Sequence, residues 1–123
     1  MRIEKKAGRH SIILDASAIG RDLLVVIYGG DEHHIGAVTV AYPTKSPNRG
    51  DTTVSLSSIG MPGHKDYILA NSAAERICHA LGVVTTVVAG IHMDNASRDE
   101  IEGAVKTAGL MVDEMISLHK RST

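Results

Sequence analysis

"VVTTVVAGIHMDNASRDE", residues 83–100, is the stretch on which the fold turns. Its first half, 83–91, is β-branched nearly throughout and predicts a buried strand. Its second half opens a helix. Ser97 followed by Glu100 is a capping box, in which the hydroxyl caps the third amide and the carboxylate returns to the cap residue. Between strand and helix the chain presents His92, Asp94 and Asn95. Turn and cap chemistry accounts for the Asp and the Asn, whose side chains bond their own backbone. It does not account for a histidine leaving a buried strand.

Working outward, Ile101, Ala104, Val105, Ala108, Val112, Met115 and Ile116 form an apolar stripe on a helix running to about residue 119. Gly103 and Gly109 weaken that helix by about 1 kcal/mol each relative to Ala, a cost that close packing on the sheet or on a second subunit would offset. Upstream, Ile68, Leu69, Ala73, Ile77, Ala80 and Leu81 recur at helical spacing over 65–81, and Gly82 ends the helix. Before it the period is that of strands. Residues 10–19 and 21–28 read as strands, the second a continuous apolar run suited to burial on both faces. "GGDEHH" (29–34) has turn chemistry, 35–42 is a third strand, "PTKSPNRGD" (43–51) is a loop, and "TTVSLSSI" (52–59) alternates as a fourth strand. Residues 1–8 read as a frayed, flexible basic start. The expected fold class is α/β (α+β): a single domain over 1–123 in the order β-β-β-β-α-β-α. The sheet is mostly antiparallel, with strands one to four in a meander, the fifth reached by a parallel crossover, and helices packed on it.

Strand direction can then be counted. If the first strand runs up, the second runs down, and the turn at 29–36 lies at the bottom. The fourth strand also runs down, so "GMPGHK" (60–65) lies there too, and the fifth delivers 90–97 to the same edge. Four of the seven histidines collect at this edge with both helix N-termini. Unpaired amides and about half a positive charge at a helix start favour an anion or phosphate. Lys65, unfavourable with the dipole of its own helix, is easier to understand beside an anion. Glycines there would let backbone amides approach a ligand. The candidate ligand-binding residues are Gly30, His33, His34, Gly36, Gly63, His64, Lys65, His92, Asp94 and Asn95, with His34 preferred over His33 because it adjoins Ile35-Gly36. No phosphate-loop or dinucleotide fingerprint is present. His34, His64 and His92 would suit zinc if the topology joined them, although no pair has compact ligand spacing. Cys78 lacks any activating motif, and no nucleophile elbow or carboxylate pair is evident, so no catalytic residue is assigned. His10, His79 and His119 read as surface residues.

Composition narrows the classes further. The formal net charge of −1, with acids and bases interspersed, argues against nucleic-acid and membrane-surface binding. No apolar run approaches the roughly 18–20 residues of a membrane span. The opening MRIEKKAGRH has no apolar segment of a secretory signal, and one cysteine fits a reducing cytoplasm. With no Trp or Phe and three Tyr, the core must be aliphatic. A sheet with helices on one face leaves its other face to be covered, so a homo-oligomer is expected.

"GGDEHHIGAV" (29–38), "GHKDYILA" (63–70) and "VVAGIHMDNASRDEI" (87–101) together resemble the small LpdD-like proteins associated with UbiD-type aromatic acid decarboxylases, over about 10–118. The resemblance implies a fold similar to that of proteasome assembly chaperones. It also implies a non-catalytic chaperone that binds prenylated FMN, or FMN itself, made by a flavin prenyltransferase and delivers or protects it for an apo-decarboxylase. The residues themselves leave two alternatives: an accessory enzyme or metal-binding subunit using the His-rich edge, or an assembly factor without ligand.

Overall fold

The computed structural model describes residues 1–45, 52–63 and 65–122. The chain runs β1 (Arg2–Ala7), β2 (His10–Ile19), β3 (Asp22–Gly30), β4 (Glu32–Lys45), β5 (Thr52–Gly60), α1 (Asp66–Leu81), β6 (Thr85–His92) and α2 (Arg98–Arg121). Both helices and the five expected strands are present. An eighth element is β1: the stretch read as a frayed start pairs antiparallel with β2, from Arg2 opposite Asp15 to Ala7 opposite His10. Ile3 faces the core, while Arg2, Glu4 and Lys6 face solvent, an alternation obscured by a fourth charge, Lys5, which lies on the helix side against Glu114.

The six strands form one sheet in the order β1-β2-β3-β6-β4-β5. The expected meander is corrected here. β3 and β4 do not pair; β6 lies between them, parallel to β3 and antiparallel to β4. The physical reason is burial. β6 is apolar along both faces and carries no charge before its terminal His92, so it gains most from the middle of the sheet. The chain passes from β3 to β4 around the end of β6: Gly30 and Glu32 both pair with His92, and the Asp31 amide donates to the His92 carbonyl at 2.7 Å. His33 and His34, expected at a hairpin tip, therefore lie inside β4, followed by a bulge between His33 and Ala37. β4 also extends to Lys45, past Pro43, while the rest of the expected loop, 46–51, lies outside the described residues.

α1 covers β4, β5 and β6, and α2 covers β1 and β2 and touches α1. The core between helices and sheet is aliphatic, with Leu14, Val25, Ile27 and Val87 meeting Ile77, Met111, Val112 and Met115. Buried Thr39 donates to Asn71 Oδ1 at 2.7 Å and buried Thr85 to the Val83 carbonyl at 3.1 Å, so both hydroxyls are satisfied. Gly82 ends α1 in the left-handed conformation, and Ser97 and Glu100 complete the capping box of α2. The helical glycines are not explained by close packing within the chain. A Cβ at Gly103 would meet nothing within 4 Å, and one at Gly109 would meet only the Arg76 guanidinium at 3.7 Å.

Gly90 does have a packing role. A Cβ there would fall 1.8 Å from the His34 carbonyl, where the bulge crosses β6. Gly90→Ala should cost about 1–3 kcal/mol, as overpacking of a rigid backbone contact does. A urea titration should show this as a lower midpoint at unchanged m-value.

Candidate functional site

The parity argument survives the corrected strand order, since inserting β6 between β3 and β4 changes neighbours but not directions. The ends of β3, β5 and β6 and the starts of β4, α1 and α2 share one edge. Between the two helix starts and the end of β6 lies a groove of about 490 Å³. Its α1 side is Lys65, Asp66, Ile68 and Leu69; its floor is Ile91, His92 and Met93; its α2 side is Ala96, Ile101, Ala104 and Val105. Ile68, Ile101 and Val105 are about half exposed, so the walls offer apolar surface to a ligand. A second hollow of about 400 Å³, lined by Arg21, His119 and Lys120 among others, sits at the opposite end of the sheet. It contains none of the candidate residues.

Asp66 organises the groove and was missed from the sequence, where it reads as an ordinary first-turn acid suited to the helix dipole. Its carboxylate accepts from the Ile91 amide at 3.0 Å, tying α1 to the end of β6, and lies 3.7 Å from His34 Nε2. Gly36 is what permits this: a Cβ there would sit 1.9 Å from Asp66 Oδ2. Thus Gly36, like Gly90, makes room for protein atoms. The expectation that these glycines admit a ligand is not what their contacts show. The His34 and His92 rings meet edge to face at 5.9 Å, and His92 Nε2 lies 2.9 Å from Asp94 Oδ1. The sequence Asp66, His34, His92, Asp94 is therefore a continuous polar line along the edge.

The other candidates separate from this line. His33 faces the side of the sheet away from the helices, its ring 4.9 Å from Tyr28. Gly30, at φ +87, forms the arch over His92. Gly63, at φ +79, lines the groove mouth with open space beside it. Asn95 adopts φ +51, a turn conformation that Asn tolerates. His64 lies outside the described residues. Among the described residues no three His, Cys, Asp or Glu side chains are placed to hold a metal ion. Cys78 is buried, and burial pushes its thiol up, away from the reactive thiolate.

A polar clasp fixes the loop between β6 and α2. Arg9 donates to the Asp94 carbonyl at 3.1 Å and to Glu100 at 3.0 Å, and lies 3.6 Å from Asp31. Asp31 in turn accepts from the Asp94 amide at 2.7 Å. His10, expected at the surface, is only 6% exposed, with Nε2 3.2 Å from Asp31 Oδ2. It starts β2 beneath the arch, a position that sequence spacing did not reveal. The Asp94 amide holds the Asp31 carboxyl below the usual carboxylate range, with His10 adding to it; the Ser97 amide and Arg9 do the same for Glu100. A group depressed in the folded state stabilises above its unfolded pKa and loses that contribution as pH falls through the folded one. Thermal stability should therefore drop below roughly pH 4. Asp31→Asn and Glu100→Gln should each flatten that acid limb when Tm is followed from pH 5 to pH 3.

Comparison with known proteins agrees with this architecture. Among solved structures, a chain from the crystal structure of a chaperone complex for yeast 20S proteasome assembly superposes with a TM-score of 0.54 at 14% identity, over 98% of this chain and 95% of that one, a likeness of fold. Protein LpdD of Lactiplantibacillus plantarum is 33% identical over 99 residues, 80% of this chain and 70% of that protein. The family model for the prenylated flavin chaperone LpdD-like domain matches residues 6–120. With that match over nearly its whole length, the chain belongs to the LpdD-like chaperone family, a family of chaperones and not of enzymes.

Proposed function

We propose that this chaperone binds prenylated FMN in the groove between the two helix starts. It would carry or protect the cofactor between a flavin prenyltransferase and a UbiD-type decarboxylase, as a homo-oligomer in the cytoplasm. One observation carries the reading: the groove joins an apolar trough to a polar end. A volume of about 490 Å³ is in the range of roughly 300–1,000 Å³ typical of small-molecule sites. Ile68, Ile101 and Val105 offer aliphatic surface for a flat ring system and its prenyl extension, which suits a chain without Phe or Trp. Lys65 stands at the N-cap of α1 with no side-chain cap of its own, a fitting place for the phosphate. His92, oriented by Asp94, and His34 beside Asp66 offer hydrogen-bonding groups to ring carbonyls and nitrogens. Gly63 at the groove mouth and Asn95 in the β6–α2 loop remain candidates, and His64, outside the described residues, remains one from its place in the sequence. The cofactor is cargo here, and the residues around it bind, orient and shield it.

The test is co-production with a flavin prenyltransferase, anaerobic purification, then native mass spectrometry with a visible spectrum. A flavin absorbance and an added mass of prenylated FMN are expected. Val105→Trp, which fills the trough from an exposed position, should abolish both. Lys65→Ala should weaken binding about tenfold, the loss of a charge-assisted contact worth about 1.4 kcal/mol. A bare protein mass under these conditions would sink the reading and leave a ligand-free assembly factor.

A further inference from the structure

We infer that the sheet face opposite the helices is the contact surface of a second copy of this chain. The inference deepens the homo-oligomer reading and stands apart from cofactor binding, since no residue of the groove enters it.

The helices cover one face of the sheet, but the central strands are apolar on both. The register places Val26, Val88, Val38 and Ile59 side by side on the open face, one from each of β3, β6, β4 and β5. The next rung is Leu24, Thr86, Val40 and Ser57. Four adjacent strands thus present two rungs without a single charge. Strands that read as continuous apolar runs are those covered on both faces. Ile59 is 64% exposed, a large aliphatic side chain in water at the end of its rung.

Size and charge point to a copy of the same chain. Six strands about 4.8 Å apart and about seven residues long make a face of roughly 600 Å² in projection, more with side-chain relief, against about 800 Å² per partner in a standard interface. Among the described residues charges stand off these two four-strand rungs, at Glu32 where β4 starts and toward the β1 edge, where Arg2 of β1 lies 3.7 Å from Asp15 of β2 and 3.5 Å from Glu4. The four-strand centre carries no charge that would call for an oppositely charged partner. A flat apolar centre is complementary to itself, which a twofold contact requires, and depletion of charge at the centre is the signature of homodimer interfaces.

Sedimentation velocity at micromolar concentration should give twice the 13.1 kDa chain mass. Val88→Lys, at the centre of the rung, and Ile59→Arg, at its exposed end, should each weaken association at least tenfold. Both should keep the flavin binding and the cooperative melt of the parent. Ile59→Arg decides the matter if Val88→Lys fails to fold, because an exposed position tolerates arginine in the monomer. A parent that is monomeric throughout, including one that instead takes up a decarboxylase on this face, overturns the inference. So do two variants that dimerise as the parent does. Flavin binding by a monomeric parent would overturn the dimer alone and leave the cofactor reading intact.

Discussion

One strand is held between two others that a single residue connects. β6 enters between β3 and β4, and the Gly30-Asp31-Glu32 arch closes over its end with the Asp31 amide on the His92 carbonyl. The insertion makes β6 the best-buried strand, sends its last residues out between the starts of α1 and α2, and fixes where His92 emerges. It also forces backbone against backbone. The bulge in β4 brings the His34 carbonyl over Gly90, and Asp66 reaches in over Gly36 to take the Ile91 amide. Each contact excludes a side chain at the glycine concerned.

The groove follows from these constraints. Its apolar walls are the parts of the α1 and α2 stripes that the core does not use, Ile68 on one side and Ile101 and Val105 on the other. Its polar end is held from behind. Arg9, His10 and Asp31 come from the β1–β2 and β3–β4 connections and grip the β6–α2 loop, and none of the three lines the groove itself. Such a division suits a carrier: the rigid side positions the polar groups, while the aliphatic side accommodates a bulky ring without specific geometry.

The two faces of the sheet differ in the same economical way. On the helix side, β-branched residues pack on Ala, Ile and Met, a combination that fills the layer without aromatic rings. On the other side, similar residues stand in register on β3, β6, β4 and β5 with no helix over them, and their two central rungs carry no charge. Nothing in the side-chain chemistry separates the two faces; the placement of the helices does.

Local pattern was enough for much of this. The helices over 65–81 and from Ser97, the capping box, the stop at Gly82 and five of the six strands depend on neighbours in the chain and were legible from spacing and caps. The convergence of three segments on one edge was legible too, because strand direction alternates regardless of which strands pair. What the sequence did not disclose were relations across the chain. Strand order depends on competition for the most buried position, which β6 wins through its apolarity on both faces. The character of His10 and Asp66 depends on what the fold places against them, a carboxylate under an arch in one case and a strand-end amide in the other. His33 and His34, adjacent in sequence, meet different partners, Tyr28 for one and Asp66 and His92 for the other, because the register of β4 shifts between His33 and Ala37. Periodicity and capping are local and determined the elements; burial and pairing are collective, and only the tertiary structure decided which of those residues share a site.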